Sequence, residues 1–258
     1  YELFNNLEAP LLKVLADMEY EGIRVDVDFL NTYSIQLKEE IKLLENKIYE
    51  LAGASFNIAS PKQVGEILFD KLKIPYKWRK TKSGQYATDV EKVAELDGQH
   101  PISGEILNHR GLSKLKSTYV DALPNMVNPN TKRIHSSFNQ ALTATGRLSS
   151  NNPNLQNIPV RTEEGRKIRE AFIAKPGSVM VSADYSQIEL RIMAHIAEDE
   201  SLLKAFAAGE DIHKATAAEM FHVALDQVSS EQRRYAKVIN FGLIYGMSAF
   251  GLAGNLGI

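Results

Sequence analysis

RRYAKVINFGLIYG, residues 233–246, carries a cation or an aromatic ring at every fourth position: Arg233, Lys237, Phe241 and Tyr245. Each helical residue turns by about 100°, so steps of four drift by only about 40° and the four side chains share one stripe. Ala236, Ile239 and Leu243 lie on the opposite flank and can pack the helix onto its neighbours. The stripe then faces a cleft. Two cations one turn apart suit a triphosphate, and a ring one turn further suits stacking on a sugar or base. The cations alone would describe an ordinary charged helix edge. Adding Phe241, Gly242, Tyr245 and Gly246 in this order sets the segment apart.

Two other segments carry chemistry. In VSADYSQIELRIMAH, residues 181–195, Asp184 closes an apolar run, VMVSAD (179–184), that predicts a strand. A carboxylate there can bind a hard divalent ion through oxygen. The plainer role for a lone Asp is a helix N-cap. Glu189 follows on a helix whose spacing is set by Ile188, Ile192 and Ile196. TATGRLSSNNPNLQNIPVRTEEGRKIREAF, residues 143–172, is a polar loop stiffened by Pro153 and Pro159, with Arg147 after Gly146. Its Asn, Gln, Ser and Thr side chains suit sugar edges and the minor groove, where base identity is weakly encoded. A solvent loop held by its own Asx turns is the plain alternative.

Outward from these segments the chain is mostly helical. Leu7, Leu11, Leu15 and Met18 predict a core helix ending near Gly22. Leu30, Leu37, Ile41, Leu44, Ile48 and Leu51 alternate three and four apart except for one polar position, Ser34, the seam of a long helix over about 28–52, with Gly53 as its stop. Ser60-Pro61-Lys62-Gln63 and the pair Thr88 and Glu91 read as capping boxes. KWRKTKSGQYATD (77–89) is an exposed basic loop, and Ile106, Leu112, Leu115 and Tyr119 predict a second long helix over 102–123. Two long helices with small elements between their far ends suggest a projecting arm, on which Arg110, Lys114 and Lys116 are candidate DNA contacts. RIHSSFNQAL (133–142) alternates like a strand, and from Ser201 onward the pattern is helical.

Composition narrows the class. The 258 residues contain no cysteine, so disulfides and thiolate metal sites are excluded and oxygen-bound Mg²⁺ or Mn²⁺ is favoured. No apolar run approaches the roughly 20 residues of a membrane span. The start YELFNNLEAP lacks the order of a secretory signal, so a cytoplasmic protein without a membrane partner is expected. The net charge of -2 taken alone argues weakly against a nucleic-acid protein, though a balanced total can hide a basic cleft.

DYSQIELRIMAH, TATGRLSSNNPNLQNIPVR and RRYAKVINFGLIYG together closely resemble the polymerase region of bacterial family A DNA polymerases. The likeness runs along the whole chain and includes KLKSTY (114–119) and EDIHKATAAEMF (210–221). The resemblance implies an α+β, predominantly helical fold forming part of a right hand: 1–24 an N-terminal palm segment, 25–125 the thumb, 126–200 palm, and 201–258 the start of the fingers. The remaining palm and fingers would lie beyond it. It also implies template-directed DNA synthesis in replication and repair, with primer-template DNA and dNTP as partners and two Mg²⁺ ions as cofactors.

By resemblance, Asp184 and the Tyr185 carbonyl are metal ligands, and Arg233 and Lys237 bind the triphosphate, Lys237 also as proton donor to pyrophosphate. Phe241 and Tyr245 stack near the new base pair, with Gln187 and His213 close to the nucleotide. Glu189 is the gate that rejects a ribose 2′-hydroxyl. Arg147, Asn154, Gln156 and Asn157 line the minor groove, and Arg110 and Lys114 hold the duplex. The family's second catalytic carboxylate sits in a His-Asp-Glu string that this sequence does not contain. The expectation is therefore a fragment that binds DNA and dNTP, is inactive alone, and needs the missing C-terminal segment. The alternatives are a non-catalytic DNA- and nucleotide-binding half of a split polymerase and a single-subunit RNA polymerase, against which Glu189 and Phe241 speak.

Overall fold

The structure, a computed structural model, describes residues 1–160, 162–244, 246–248, 251 and 253. They divide into two compact units, Tyr1–Met180 and Val181–Ile258, both mostly helical.

In the first unit a π-helical turn, Phe4–Glu8, runs into α1 (Ala9–Glu21). The helix forms as expected, but it is not the core helix its spacing predicts: Leu15 is buried, while Leu7, Leu12 and Met18 stay exposed. Spacing finds an amphipathic helix without finding its partner. Gly22 ends α1 at φ 61°, where a Cβ would stand 2.6 Å from the Ile134 carbonyl oxygen. Only glycine lets Ile23 exchange backbone hydrogen bonds with Ile134, at 2.9 and 2.8 Å. β1 (Arg24–Val25) follows.

The long helix α2 (Val27–Ala52) is fixed at both ends by its sequence. Asp26 accepts the Phe29 amide at 2.9 Å, and Gly53 leaves in the left-handed region at φ 60°. α3 (Pro61–Gly65) starts at Ser60, whose hydroxyl accepts the Gln63 amide, while the Gln63 side chain reaches back to the Asn57 amide at 2.7 Å. α4 (Val90–Ala94) is capped by Asp89, which accepts the Lys92 amide at 3.2 Å, and not by Thr88. The carboxylate is the stronger acceptor and complements the helix dipole. Thr88 is instead buried and donates to the Pro61 carbonyl.

α5 (Ile102–Leu115) passes through a π-helical turn, Lys116–Val120, into α6 (Ala122–Asn125). Cross-links between α2 and this helical run pair Ser34 with Asp121 at 2.7 Å, Glu45 with His109 at 3.4 Å and Lys47 with Glu105 at 2.5 Å. Numbers rise on one as they fall on the other, so the two are antiparallel. Two separate cores ride on the pair. One gathers Ile48, Leu68, Leu96, Ile102 and Ile106; the other gathers Leu30, Leu37, Leu112, Leu123, Ile134 and Ile168. Burying such a side chain contributes about 1.5–3 kcal/mol.

The strands are short. β2 (Ser137–Asn139) pairs antiparallel with β3 (Ser149–Asn151), setting Phe138 opposite Ser150. α7 (Glu163–Glu170), capped by Thr162, leads to β4 (Phe172–Ile173), which pairs with β1. The strand expected over 133–142 thus shrinks to three residues.

The segment at the end of the first unit and the start of the second corrects another expectation: 179–184 forms no strand, and Val179 and Val181 are exposed. A strand persists only where a ladder partner exists, and none pairs with this segment among the described residues. α8 (Ile188–Ile196) buries Leu190 and Ala194, leaving Ile188, Ile192 and Ile196 exposed. Both faces of α8 are apolar, so spacing alone does not choose between them. α9 (Glu200–Ala207) is capped by Asp199, and α10 (Ile212–Phe221) packs against α11 (Ser230–Ile244). No described helix is long and apolar enough to cross a membrane.

Candidate functional site

In the second unit, α10 and α11 bring four of the expected residues together. Lys237 Nζ stands 6.0 Å from the centre of the Phe241 ring, so cation and ring occupy one side of α11. Ala236 and Ile239 are buried on the opposing flank. The Phe241 ring lies 5.6 Å from His213, which α10 presents. Arg233 gives its Nε to Asp211 at 2.7 Å, leaving the two terminal nitrogens of the guanidinium outside that contact. Tyr245, the fourth member of the stripe, lies outside the described residues.

Electrostatics at this corner are set by the two cations. Burial pushes the His213 pKa below its ordinary 6.5; Arg233 and Lys237 push the same way, while Asp211 opposes them. The imidazole is therefore neutral at neutral pH. Burial would raise the Asp211 carboxyl, but the bonds from Arg233 and the Lys214 amide prevail and hold it below the ordinary range. Such an arrangement keeps a positive field with neutral and cationic donors, the requirement for a polyanion.

Asp184 and Tyr185 precede α8, exposed and without a hydrogen bond or ion pair among the described residues. Asp184 is not an N-cap; that position belongs to Gln187, held at φ 53° with its Oε1 buried and unpartnered. An open carboxylate next to a backbone carbonyl has the donor chemistry a hard divalent ion takes. No group of three His, Asp or Glu side chains gathers for a metal among the described residues. Glu189 sits half-buried in the first turn of α8.

The first unit holds the other expected residues. A groove of about 1260 Å³ is lined by Lys114, Tyr119, Asn154, Gln156 and Asn157. Its polar wall is built around buried Ser150, whose hydroxyl donates toward Asn154 Oδ1 at 3.1 Å and accepts the Leu155 amide at 3.1 Å. Asn154 caps the turn at 155–157, and Gln156 Nε2 bonds the Leu148 carbonyl at 2.9 Å. Lys114 is exposed, whereas Lys116 is not a free cation: it bonds Asp121 at 2.7 Å and Ser34 at 3.0 Å. Arg147 lies exposed on the loop after Gly146. Arg110 does not line this groove. It borders a second one of about 680 Å³ and donates to the Thr88 carbonyl at 2.5 Å.

The chain that carries the groove, the open carboxylate and the stripe, in that order, has matches among known proteins. The sequence pattern of DNA polymerase family A fits residues 27–258. The chain belongs to DNA polymerase family A. It is 54% identical over 257 residues to DNA polymerase I of Pseudomonas aeruginosa, covering 99% of this chain and 28% of that protein. With DNA polymerase I of Bacillus subtilis it shares 51% over 258 residues, covering 100% of this chain and 29% of that one. The chain thus spans less than a third of the length of these curated relatives. Its fold resembles the POL domain of Pol1 from M. smegmatis, solved in complex with DNA primer-template and dNTP: the TM-score is 0.89 at 44% identity, covering 100% of this chain and 45% of the other.

Residue types alone do not single out three structural supports, Ser150 in the first unit and Asp211 and Asn240 in the second. Asp211 reads in sequence as an N-cap, Ser150 as one loop serine among several, and Asn240 as a polar position between stripe and flank. The N-cap pattern ahead of α10 is the one sequence signal that points to any of them.

Proposed function

We propose that the chain is part of an enzyme of template-directed DNA synthesis that transfers deoxynucleotides from dNTPs to a primer 3′-hydroxyl in replication and repair. The gathering of Arg233, Lys237, His213 and Phe241 on the facing sides of α10 and α11 carries this reading. On it, residues 25–125 are the thumb, 1–24 and 126–200 belong to the palm, and 201–258 begin the fingers.

The roles follow from chemistry. Arg233 and Lys237 hold the triphosphate, and Lys237 can return a proton to the departing pyrophosphate. Phe241 and Tyr245 supply faces for stacking beside the new base pair, and Gln187 orients the nucleotide. Glu189 excludes a ribose 2′-hydroxyl. Asp184 and the Tyr185 carbonyl are the oxygen ligands for Mg²⁺, which when bound lowers the pKa of the primer 3′-hydroxyl and offsets phosphate charge. Lys114 meets the duplex backbone, while Asn154, Gln156, Asn157 and Arg147 follow the minor groove. Arg110 serves duplex binding by anchoring the basic loop through Thr88.

The sequence holds no His-Asp-Glu string, so residues 1–258 bind DNA and dNTP without joining them. The test is titration of the purified chain with labelled primer-template and with Mg-dATP. Lys237→Ala should weaken dATP binding by roughly 10-fold, the loss of one charge-assisted contact. Unchanged affinity in both Arg233→Ala and Lys237→Ala would remove the nucleotide site. Nucleotide incorporation by the chain alone would refute its catalytic incompleteness. Synthesis restored by a polypeptide carrying the His-Asp-Glu segment supports a divided enzyme; silence after mixing supports a binding half.

A further inference from the structure

Behind the α10–α11 stripe runs a chain of three hydrogen bonds whose polarity is fixed at one end. The Thr216 hydroxyl lies 2.9 Å from the Ile212 carbonyl, which can only accept, so the hydroxyl proton is committed there. The Thr216 oxygen is thereby left as an acceptor, and the group 3.0 Å away is the side-chain amide of Asn240, which must present its nitrogen. The same nitrogen stands 3.1 Å from Nδ1 of His213. An amide nitrogen has hydrogens and no usable lone pair, so one hydrogen goes to Thr216 and the other to the ring. Nδ1 of His213 must then be the bare nitrogen.

We propose that Thr216 and Asn240 are positioning residues that lock His213 in the tautomer with its proton on Nε2, presenting a neutral donor to the phosphate of an incoming nucleotide. The first half of this inference stands on the hydrogen-bond chain alone; the second rests on the nucleotide-binding reading above. Which nitrogen carries the proton matters because a phosphate oxygen only accepts. With the proton on Nδ1, the ring would turn a lone pair toward the phosphate. Nε2 makes no hydrogen bond to a protein group among the described residues, so it is the ring atom left for a ligand. The charged groups around the ring are Asp211 at the start of α10, and Arg233 and Lys237 on α11. The two cations help keep the ring neutral, the state in which tautomer choice decides what it offers.

Long-range ¹H–¹⁵N correlation spectra of the uniformly ¹⁵N-labelled chain read the tautomer directly. The chain has six histidines, and His213→Gln identifies the signal. At neutral pH the wild type should show Nε2 protonated and Nδ1 bare. Asn240→Asp, which turns the donor into an acceptor, should move the proton to Nδ1. Thr216→Val, which frees the amide to flip, should give a mixture, and Thr216→Ser, which keeps the hydroxyl, should restore the wild-type spectrum. Mg-dATP affinity should fall by roughly 10-fold in Asn240→Asp and recover in Thr216→Ser.

A wild-type spectrum with the proton on Nδ1, or Asn240→Asp leaving the tautomer unmoved, overturns the lock. A switched tautomer with unchanged dATP affinity overturns the role toward phosphate and leaves the lock standing. Loss of dATP binding already in Thr216→Ser, with a wild-type spectrum, likewise overturns it.

Discussion

Asp211 divides its carboxylate between two tasks: Oδ1 accepts the Lys214 amide at 3.2 Å to start α10, and Oδ2 takes Nε of Arg233 at 2.7 Å to tie α11 against it. One residue thus sets both where a helix begins and which way a guanidinium points. Asp211→Asn keeps the cap but loses the ion pair, whereas Asp211→Ala loses both. The alanine variant should be less stable by about 1–2 kcal/mol in urea titration, the usual cost of an N-cap. The asparagine variant should lose under about 1 kcal/mol, since the pair is partly exposed, and yet bind Mg-dATP more weakly. The Asp211 carboxyl is held below 3.8, so its stabilising effect is present above that pH and lost as pH falls further. Equal stability of the two variants would contradict the division of labour.

Ser150 predicts a second effect. Its buried hydroxyl organises the wall of the groove through Asn154 and the Leu155 amide. Ser150→Ala leaves the Leu155 amide unpaired, while Asn154 Oδ1 keeps the Gln156 amide, at a cost of about 1–3 kcal/mol. Thermal unfolding checks the stability, and anisotropy of a labelled duplex should show weaker binding. A neutral result on both would mean that the wall holds itself.

Arg110 should behave as an anchor. Arg110→Ala breaks its bond to the Thr88 carbonyl, so trypsin should cut at Lys80 or Lys82 several-fold faster than in the wild type. A residue acting only through duplex contact would leave the cleavage rate of the free protein unchanged.

Tyr33 gives an alkaline prediction. Burial, reinforced by Glu164 and Glu40, pushes its pKa from 10.0 up to about 12, and its hydroxyl donates to the Glu164 carbonyl at 3.0 Å. The unfolded chain loses this proton first as pH rises. Stability is therefore intact below 10.0 and falls toward about 12, by on the order of 2 kcal/mol. Tyr33→Phe should cost about 1 kcal/mol at neutral pH and flatten the alkaline decline measured by urea titration.

How much of this is legible in the sequence depends on how local each cause is. Asp26, Gly53 and the seam from Leu30 to Ile48 specify α2 because caps and spacing act within a few residues. The stripe on α11 is legible for the same reason, down to Lys237 and Phe241 sharing a side. Thr88 and Asp89 compete for one cap, and sequence does not say that Thr88 is drawn inward to Pro61. The expected strand at 179–184 and the exposed isoleucines of α8 fail for a different cause, since a ladder partner and a covering face are properties of other segments. Asp211 and Asn240 are opaque in sequence because their partners stand more than twenty positions away, a separation of 22 for Arg233 and 27 between His213 and Asn240.

The paired helices α2 and α5 each serve two cores, and one of these closes within residues 48–107. Its contacts need nothing from the other core except the rails they share. In hydrogen exchange, amides around Val64, Leu68 and Leu96 should therefore trade protons with solvent by local opening before those around Leu30 and Leu37 do. A helical pair built this way can loosen around one core without surrendering the other.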